Sequence, residues 1–335
     1  MKLIVQIPCY NEEETLAQTV ADIPRTIEGV SEVEILVIDD GSADRTVEVA
    51  HAAGVDHVIQ NNINRGLART FREGLDACLR LGADIIVNTD GDNQYAGQDI
   101  PKLIKPILDG KADLVIGDRQ IAKIPHFSPL KKFFQRFGSS IVRRLSGGLR
   151  VPDVVSGFRA ISREGAFSIN IISSFSYTIE MLIQAGKKRM SVVSVPVRTN
   201  KVERTSRLFE SIPTFIVKSG TTMLRMFAMF KPLQIFFIIG SAFTIIGAIP
   251  LLRFLIFYFS GDSAGHIQSL VLGGAFVVIG FITFLIGLVA DLINFNRRLL
   301  EIVLEKTRHM ELMIEDDRKI ALTRTGKRYL YKVKE

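Results

Sequence analysis

The chain has 335 residues, length for about two domains, and 47% of them are hydrophobic with a mean hydropathy of +0.24, which excludes a disordered polypeptide. Two cysteines and no tryptophan exclude a disulfide-stapled scaffold and a Cys-rich zinc site. The formal charge of +7 leaves nucleic acid, anionic lipid and phosphorylated substrates as partner classes.

From the N-terminus, the apolar run LIVQI ends at Pro8; it is too short for a signal-peptide core and suits a buried strand. Further strands are expected at Glu34–Ile38, His57–Ile59, Asp84–Asn88 and Asp113–Gly117. Several of these are near-continuous apolar runs of the kind buried in parallel sheets. Helical patterns lie between them at Thr15–Ile27, Asp44–Ala53 and Gly66–Leu81, the last with Leu67, Phe71, Leu75 and Leu79 stepping along one face. The βαβ succession predicts an open α/β sheet whose ligand loops follow the strand C-termini.

The loop PCYNEEET after the first strand is neither a Walker loop nor a GxGxxG turn, so a Gly-rich phosphate cradle is excluded there. After the second strand, VIDDGSADRT sets Asp39 beside Asp40 and offers Asp44 as a helix N-cap. Two adjacent carboxylates stay ionised only if hydrogen bonds or a cation compensate them. After the fourth strand, NTDGDNQ alternates Asp90, Asp92 and Gln94, hard oxygen donors suited to Mg or Mn gripping a diphosphate.

Taken together, Pro8, Tyr10, Asn11 and Glu12, then Asp39 and Asp40, then Asn64, Arg65 and Gly66, then the DGD of Asp90 to Asp92, resemble glycosyltransferase family 2 in order and spacing over most of residues 1–220. The resemblance implies the GT-A fold, a Rossmann-like open mixed sheet with helices on both faces. It implies a nucleoside held by the Pro8 to Glu12 loop and Asp40, with Asp39, Arg65 and Gly66 also at the donor. Asp90, Asp92 and Gln94 would hold the metal and sugar diphosphate, and Arg119 would line the donor site.

Residues 119–150 contain eight Lys or Arg and no acid, interleaved with Phe127, Phe133, Phe134 and Phe137, a pattern for a membrane surface. On a helix of Pro129–Leu145, Arg136 and Ser140 lie four apart and share a face suited to a phosphate. The plainer reading is a basic helix on anionic lipid. The segments DVVSGFRAISRE, Glu180 in YTIEML, and PVRTNKVERTSRLF resemble the polyprenyl-phosphate branch of the same family, which includes dolichol-phosphate mannose synthases and bacterial polyprenyl-phosphate glucosyltransferases. That resemblance places Arg136 and Ser140 on the acceptor-phosphate helix. It sets Asp153, Ser156, Arg159 and Glu180 around acceptor and sugar, and Arg204 and Arg207 on the donor diphosphate. The last segment departs from the branch in being shorter and ending in Arg207 rather than Ser-Lys.

Residues 208–232 read as an interfacial helix ahead of two apolar runs, 233–259 with Arg253 as its one charge and 267–293 as a second span. Arg253 either snorkels to the headgroups or acts within the bilayer. The connecting loop has no Lys or Arg, whereas Arg225, Lys231, Arg297 and Arg298 flank the other ends, so both termini and the catalytic domain (1–207) are expected in the cytoplasm. Residues 294–335 read as a helix that contacts a second subunit or packs on the catalytic domain, with a basic tail. Two spans and a nucleotide-sugar site leave nucleic acid without a role. The charge is itself divided: residues 1–118 carry net −11 and residues 119–335 net +18.

These readings combine into a membrane-bound hexosyltransferase acting from a UDP- or GDP-linked sugar onto a dolichyl or undecaprenyl phosphate. A glycan-extending transferase of the family and a non-catalytic membrane scaffold are the alternatives. A lipid phosphate, with a second pKa near about 6, is already anionic at neutral pH and needs no general base. The family's processive synthases carry a Gln-x-x-Arg-Trp segment, which a chain without tryptophan cannot supply.

Overall fold

The computed structural model describes residues 1–120, 139–140, 142–149, 151–171, 177–200, 230–260 and 266–324. Two compact units emerge, one of residues 1–208 with 304–335 and one of residues 209–303. Arg136, Arg204, Arg207, nearly all of the expected interfacial helix and the basic tail lie outside the described residues.

The first unit is built on a seven-stranded sheet in the order β3-β2-β1-β4-β6-β5-β7. Its strands are β1 (Lys2–Cys9), β2 (Glu32–Asp39), β3 (His57–Gln60), β4 (Ile85–Asn88), β5 (Leu114–Asp118), β6 (Arg159–Ser162) and β7 (Val192–Pro196). All pairings are parallel except those of β6, which runs antiparallel between β4 and β5. The sheet is therefore mixed. Leu3, Val5, Ile7, Ile35 and Val37 are fully buried, as are Ile4, Leu36 and Ile38 of the opposite parity, so β1 and β2 are covered on both faces.

Helices α1 (Leu16–Asp22), α2 (Thr46–Ala52), α3 (Leu67–Arg80) and α4 (Ile100–Leu108) connect the strands up to β5. In α3 the stripe of Phe71, Leu75, Cys78 and Leu79 is buried, while Leu67 in the first turn is 48% exposed, so the core face begins one turn later than expected. Helix α1 is shorter than the sequence pattern because Ile23 turns extended (ψ 119) ahead of Pro24, whose ring disfavours a helical predecessor. Asp44 does not occupy the N-cap of α2, which is Arg45; it accepts from Thr46 N at 3.0 Å and Glu13 N at 3.1 Å, and so ties two strand-end loops together.

Two further helices, α5 (Arg163–Ser168) and α6 (Tyr177–Lys187), flank β6 in sequence. Glu305 accepts from Ser168 Oγ at 3.1 Å and pairs with Lys188 Nζ at 2.5 Å, while Glu311 lies 3.8 Å from Arg80. The post-span segment thus packs on the catalytic part of its own chain, the second of the two expected arrangements. Both cysteines are free and buried.

The second unit contains α7 (Pro232–Phe259) and the first part of α8 (Ile267–Arg324), two helices long and apolar enough to cross a membrane. They pack through glycines. A Cβ on Gly247 would stand 2.7 Å from Gly273 O, and one on Gly240 2.9 Å from Gly280 O. Small residues at such crossings let backbones approach where lipid gives no hydrophobic drive to associate. Arg253 sits 5.9 Å from the Phe257 ring centroid.

Candidate active site

The C-terminal ends of β1, β2, β4 and β5 carry the predicted residues. The β1 loop bends at Asn11, a non-glycine residue at φ 55, where asparagine is among the residues that tolerate left-handed backbone. Asn11 N donates to Ser42 Oγ and Ala43 N donates to Asn11 Oδ1, both at 2.9 Å, so the β1 and β2 loops are cross-linked. Pro8 is buried, Tyr10 is 43% exposed, and Glu12 accepts from Thr15 Oγ1 at 2.9 Å.

Asp39 and Asp40 are both buried, and hydrogen bonds compensate them, one of the two remedies the sequence demanded. Asp39 accepts from Ser42 N at 3.2 Å. Asp40 accepts from Arg65 N and Gly66 N, each at 2.8 Å, and so fastens the turn that opens α3. Gly41, at φ 74, lies where a Cβ would meet Ile63 C at 2.7 Å, so the turn between β2 and α2 presses against the same loop.

After β4, Asp90 sits against Gly157, where a Cβ would stand 2.8 Å from both carboxylate oxygens. Burial first, then the neighbouring Asp92, push the Asp90 carboxyl up to about 7. Asp92 Oδ1 accepts from Gln94 N at 3.1 Å. Among the described residues no three His, Cys, Asp or Glu side chains gather as a metal cluster; the donor set here is two carboxylates and one amide. These are hard oxygens, and a divalent cation would relieve the repulsion that holds Asp90 high. The residues therefore fit Mg2+ or Mn2+.

Arg119, just past β5, forms a forked pair with Asp153: Nε donates to Oδ2 at 2.7 Å and Nη2 to Oδ1 at 3.0 Å. Its Nη1 reaches Gln94 Oε1 at 3.4 Å, which brings the metal loop and the basic group together. Burial works against the charge, yet the bond to Asp153 outweighs it and keeps Arg119 protonated well above its ordinary range. Tyr95, absent from the sequence reading, completes this wall. It accepts from Gly157 N at 2.9 Å, stacks on Phe158 at 5.2 Å, and burial raises its phenol to about 12.

Arg159 and Glu180 lie deeper. Arg159 is 1% exposed, and its guanidinium donates to the carbonyls of Ser156, Thr178 and Val154 at 2.7 to 2.9 Å. It shapes the site by bracing the 154–156 loop, on whose buried face Ser156 sits. Glu180 is fully buried and accepts from Gln184 Nε2 at 3.3 Å. Ser140 is exposed in a helical stretch, with Arg136 outside the described residues.

The sequence pattern of Glycosyl transferase family 2 matches residues 4–167. A UDP-N-acetylglucosamine–dolichyl-phosphate N-acetylglucosaminyltransferase of Methanococcus voltae is 30% identical over 217 residues, covering 58% of this chain and 83% of that protein. Glycosyltransferase AglJ of Haloferax volcanii is 30% identical over 293 residues, 85% of this chain and 91% of the relative. Among solved structures, glucosyl-3-phosphoglycerate synthase from Mycobacterium tuberculosis, in complex with Mn2+, UDP and phosphoglyceric acid, superposes with a TM-score of 0.53 at 19% identity, over 68% of this chain and 77% of that one. By sequence pattern, by relatives matched over most of their length and by fold, this chain belongs to glycosyl transferase family 2.

Proposed function

We propose that the chain transfers a hexose from a UDP- or GDP-linked donor to a polyprenyl phosphate at the cytoplasmic membrane surface, with inversion at the anomeric carbon. The observation that carries this reading is the meeting of the Asp90, Asp92 and Gln94 loop with the Arg119–Asp153 pair, two carboxylates and a fixed guanidinium beside one another at the strand ends. The dolichyl-phosphate acceptor in the name of the Methanococcus relative and the Mn2+ and UDP held by the mycobacterial structure support it. The two apolar helices supply the membrane anchorage that a lipid acceptor calls for.

In this reading a divalent ion, held by Asp90, Asp92 and Gln94, supplies charge to the departing diphosphate. Arg119 adds a forked cation whose orientation Asp153 fixes before substrate arrives. The β1 and β2 loops, locked by Asn11, Ser42 and Asp40, form the nucleoside side. Arg136 and Ser140 meet the lipid phosphate, whose anionic oxygen attacks without a general base. Arg204 and Arg207 close on the diphosphate.

The test is transfer by the purified full chain from radiolabelled UDP- and GDP-sugars to dolichyl and undecaprenyl phosphate, with Mn2+, Mg2+ or EDTA. Metal-dependent formation of a lipid-phosphate sugar is expected. Transfer that persists in EDTA removes the metal role, transfer only to a lipid-linked saccharide favours the glycan-extending reading, and no metal-dependent nucleotide-sugar binding at all favours the scaffold.

A further inference from the structure

The segment after β7 is bound along the whole metal loop. Ala96 N donates to Arg198 O at 3.3 Å, Asn200 N to Gln94 O at 2.9 Å, and Tyr95 and Thr199 pair as an isolated antiparallel bridge. The Asn200 side-chain amide donates to the Asn93 carbonyl at 3.1 Å and to Asn93 Oδ1 at 3.3 Å. At the far end, Arg198 closes on Asp99, its backbone N–H at 2.7 Å and Nη2 at 2.9 Å from the carboxylate. Residues 93, 94, 95 and 96 are thus each tied to residues 198–200.

One of these ties has a consequence for the cation. Asn93 stands between Asp92 and Gln94 at φ 54, in the sparsely populated left-handed region. That turn folds Gln94 N back onto Asp92 Oδ1 at 3.1 Å. The aim of two of the three candidate donors therefore depends on Asn93 keeping its backbone. Both bonds from the Asn200 amide land on Asn93.

We infer that Asn200 is a positioning residue for the metal loop: by holding Asn93 in its left-handed turn it sets how Asp92 and Gln94 face the cation, and so sets cation affinity from outside the donor set. The inference rests on the divalent-metal reading above. Partners that orient metal donors without touching the metal alter affinity by about 10- to 100-fold when removed.

The experiment measures Mn2+ binding to the detergent-solubilised full chain by the EPR signal of free Mn2+, with UDP, with GDP and with neither, so no turnover enters. Asn200→Ala is expected to weaken Mn2+ binding by about tenfold or more. Asn200→Asp keeps the shape but cannot donate to the Asn93 carbonyl, and weakens binding similarly even if the alanine variant folds poorly. Adding Asn93→Gly to Asn200→Ala should recover part of the loss, because glycine takes a left-handed φ without strain. Thr199→Ala, which keeps the backbone pairing, should bind as the parent does. Binding by both Asn200 variants within twofold of the parent overturns the inference, and failure of Asn93→Gly to recover any affinity overturns the backbone route. A parent chain that binds no Mn2+ under any of the three conditions overturns instead the metal reading beneath it.

Discussion

Arg119 and Asp153, 34 positions apart, form a two-pronged ion pair whose carboxylate is 1% exposed and whose guanidinium is 16% exposed. A pair this buried gains from geometry more than from Coulomb attraction, and removing one partner strands the other. Asp153→Ala is therefore expected to destabilise the fold by about 3–5 kcal/mol, read by chemical denaturation. Arg119→Lys keeps the charge but loses the fork. It should leave the melting temperature within a few degrees and lower kcat/KM for the donor by about 100-fold. A lysine variant with parental kinetics would remove Arg119 from the donor site.

Asp40 makes a separate prediction, because its two oxygens are already engaged by the amides of Arg65 and Gly66. Its effect on a nucleoside then runs through the shape of the 63–66 turn. Asp40→Ala leaves both amides without their acceptor, which costs about 1–3 kcal/mol where water does not replace it. Asp40→Asn retains one acceptor oxygen and should lose less. The donor KM is expected to rise in the same order, alanine above asparagine. Equal KM values for both variants and the parent would sever the turn from donor binding.

The parallel strands and their loops were legible because β1, β2 and β4 are apolar runs that end abruptly in acids and asparagines. Period and punctuation are local signals. Strand β6 was not legible: it is four residues long, begins with Arg159, and becomes a central strand only because β4 and β5 accept it antiparallel. Arg159 illustrates a second limit. Its residue type and motif marked it for the site, but direction comes from packing, and the guanidinium turns inward onto three carbonyls. The tie from Asn200 to Asn93 spans 107 positions and involves two asparagines in unremarked loops, so no spacing could announce it. Gly157 likewise gains its meaning only from what stands against it.

That glycine supports a third prediction. A methyl group at residue 157 would lie 2.8 Å from both oxygens of Asp90 and 3.1 Å from the Tyr177 hydroxyl. Gly157→Ala must push the carboxylate or the strand aside, a strain of about 1–3 kcal/mol. Because Asp90 is a candidate cation donor, Mn2+ affinity should fall more than the melting temperature does. A variant that melts earlier yet binds Mn2+ normally would place the strain elsewhere.

Asp90 carries a pH dependence whose sign can be worked out. Burial, aided by Asp92, raises its carboxyl to about 7 in the folded protein, against about 3.9 for an unfolded aspartate. Between those values the folded chain holds a proton that the unfolded chain has lost. Stability of the metal-free protein is therefore fully present below about pH 4 and declines as pH rises to about 7, by up to about 4 kcal/mol. Asp90→Asn removes the ionisation. In EDTA its melting temperature should match the parent near pH 4 and exceed it at pH 8. Added Mn2+ reverses the comparison, since a cation binds the ionised carboxylate, displaces its proton and stabilises only the parent. Parallel melting curves for the two proteins from pH 4 to pH 8 in EDTA would show that Asp90 titrates as an ordinary surface acid, and that its place against Gly157 does not govern its charge.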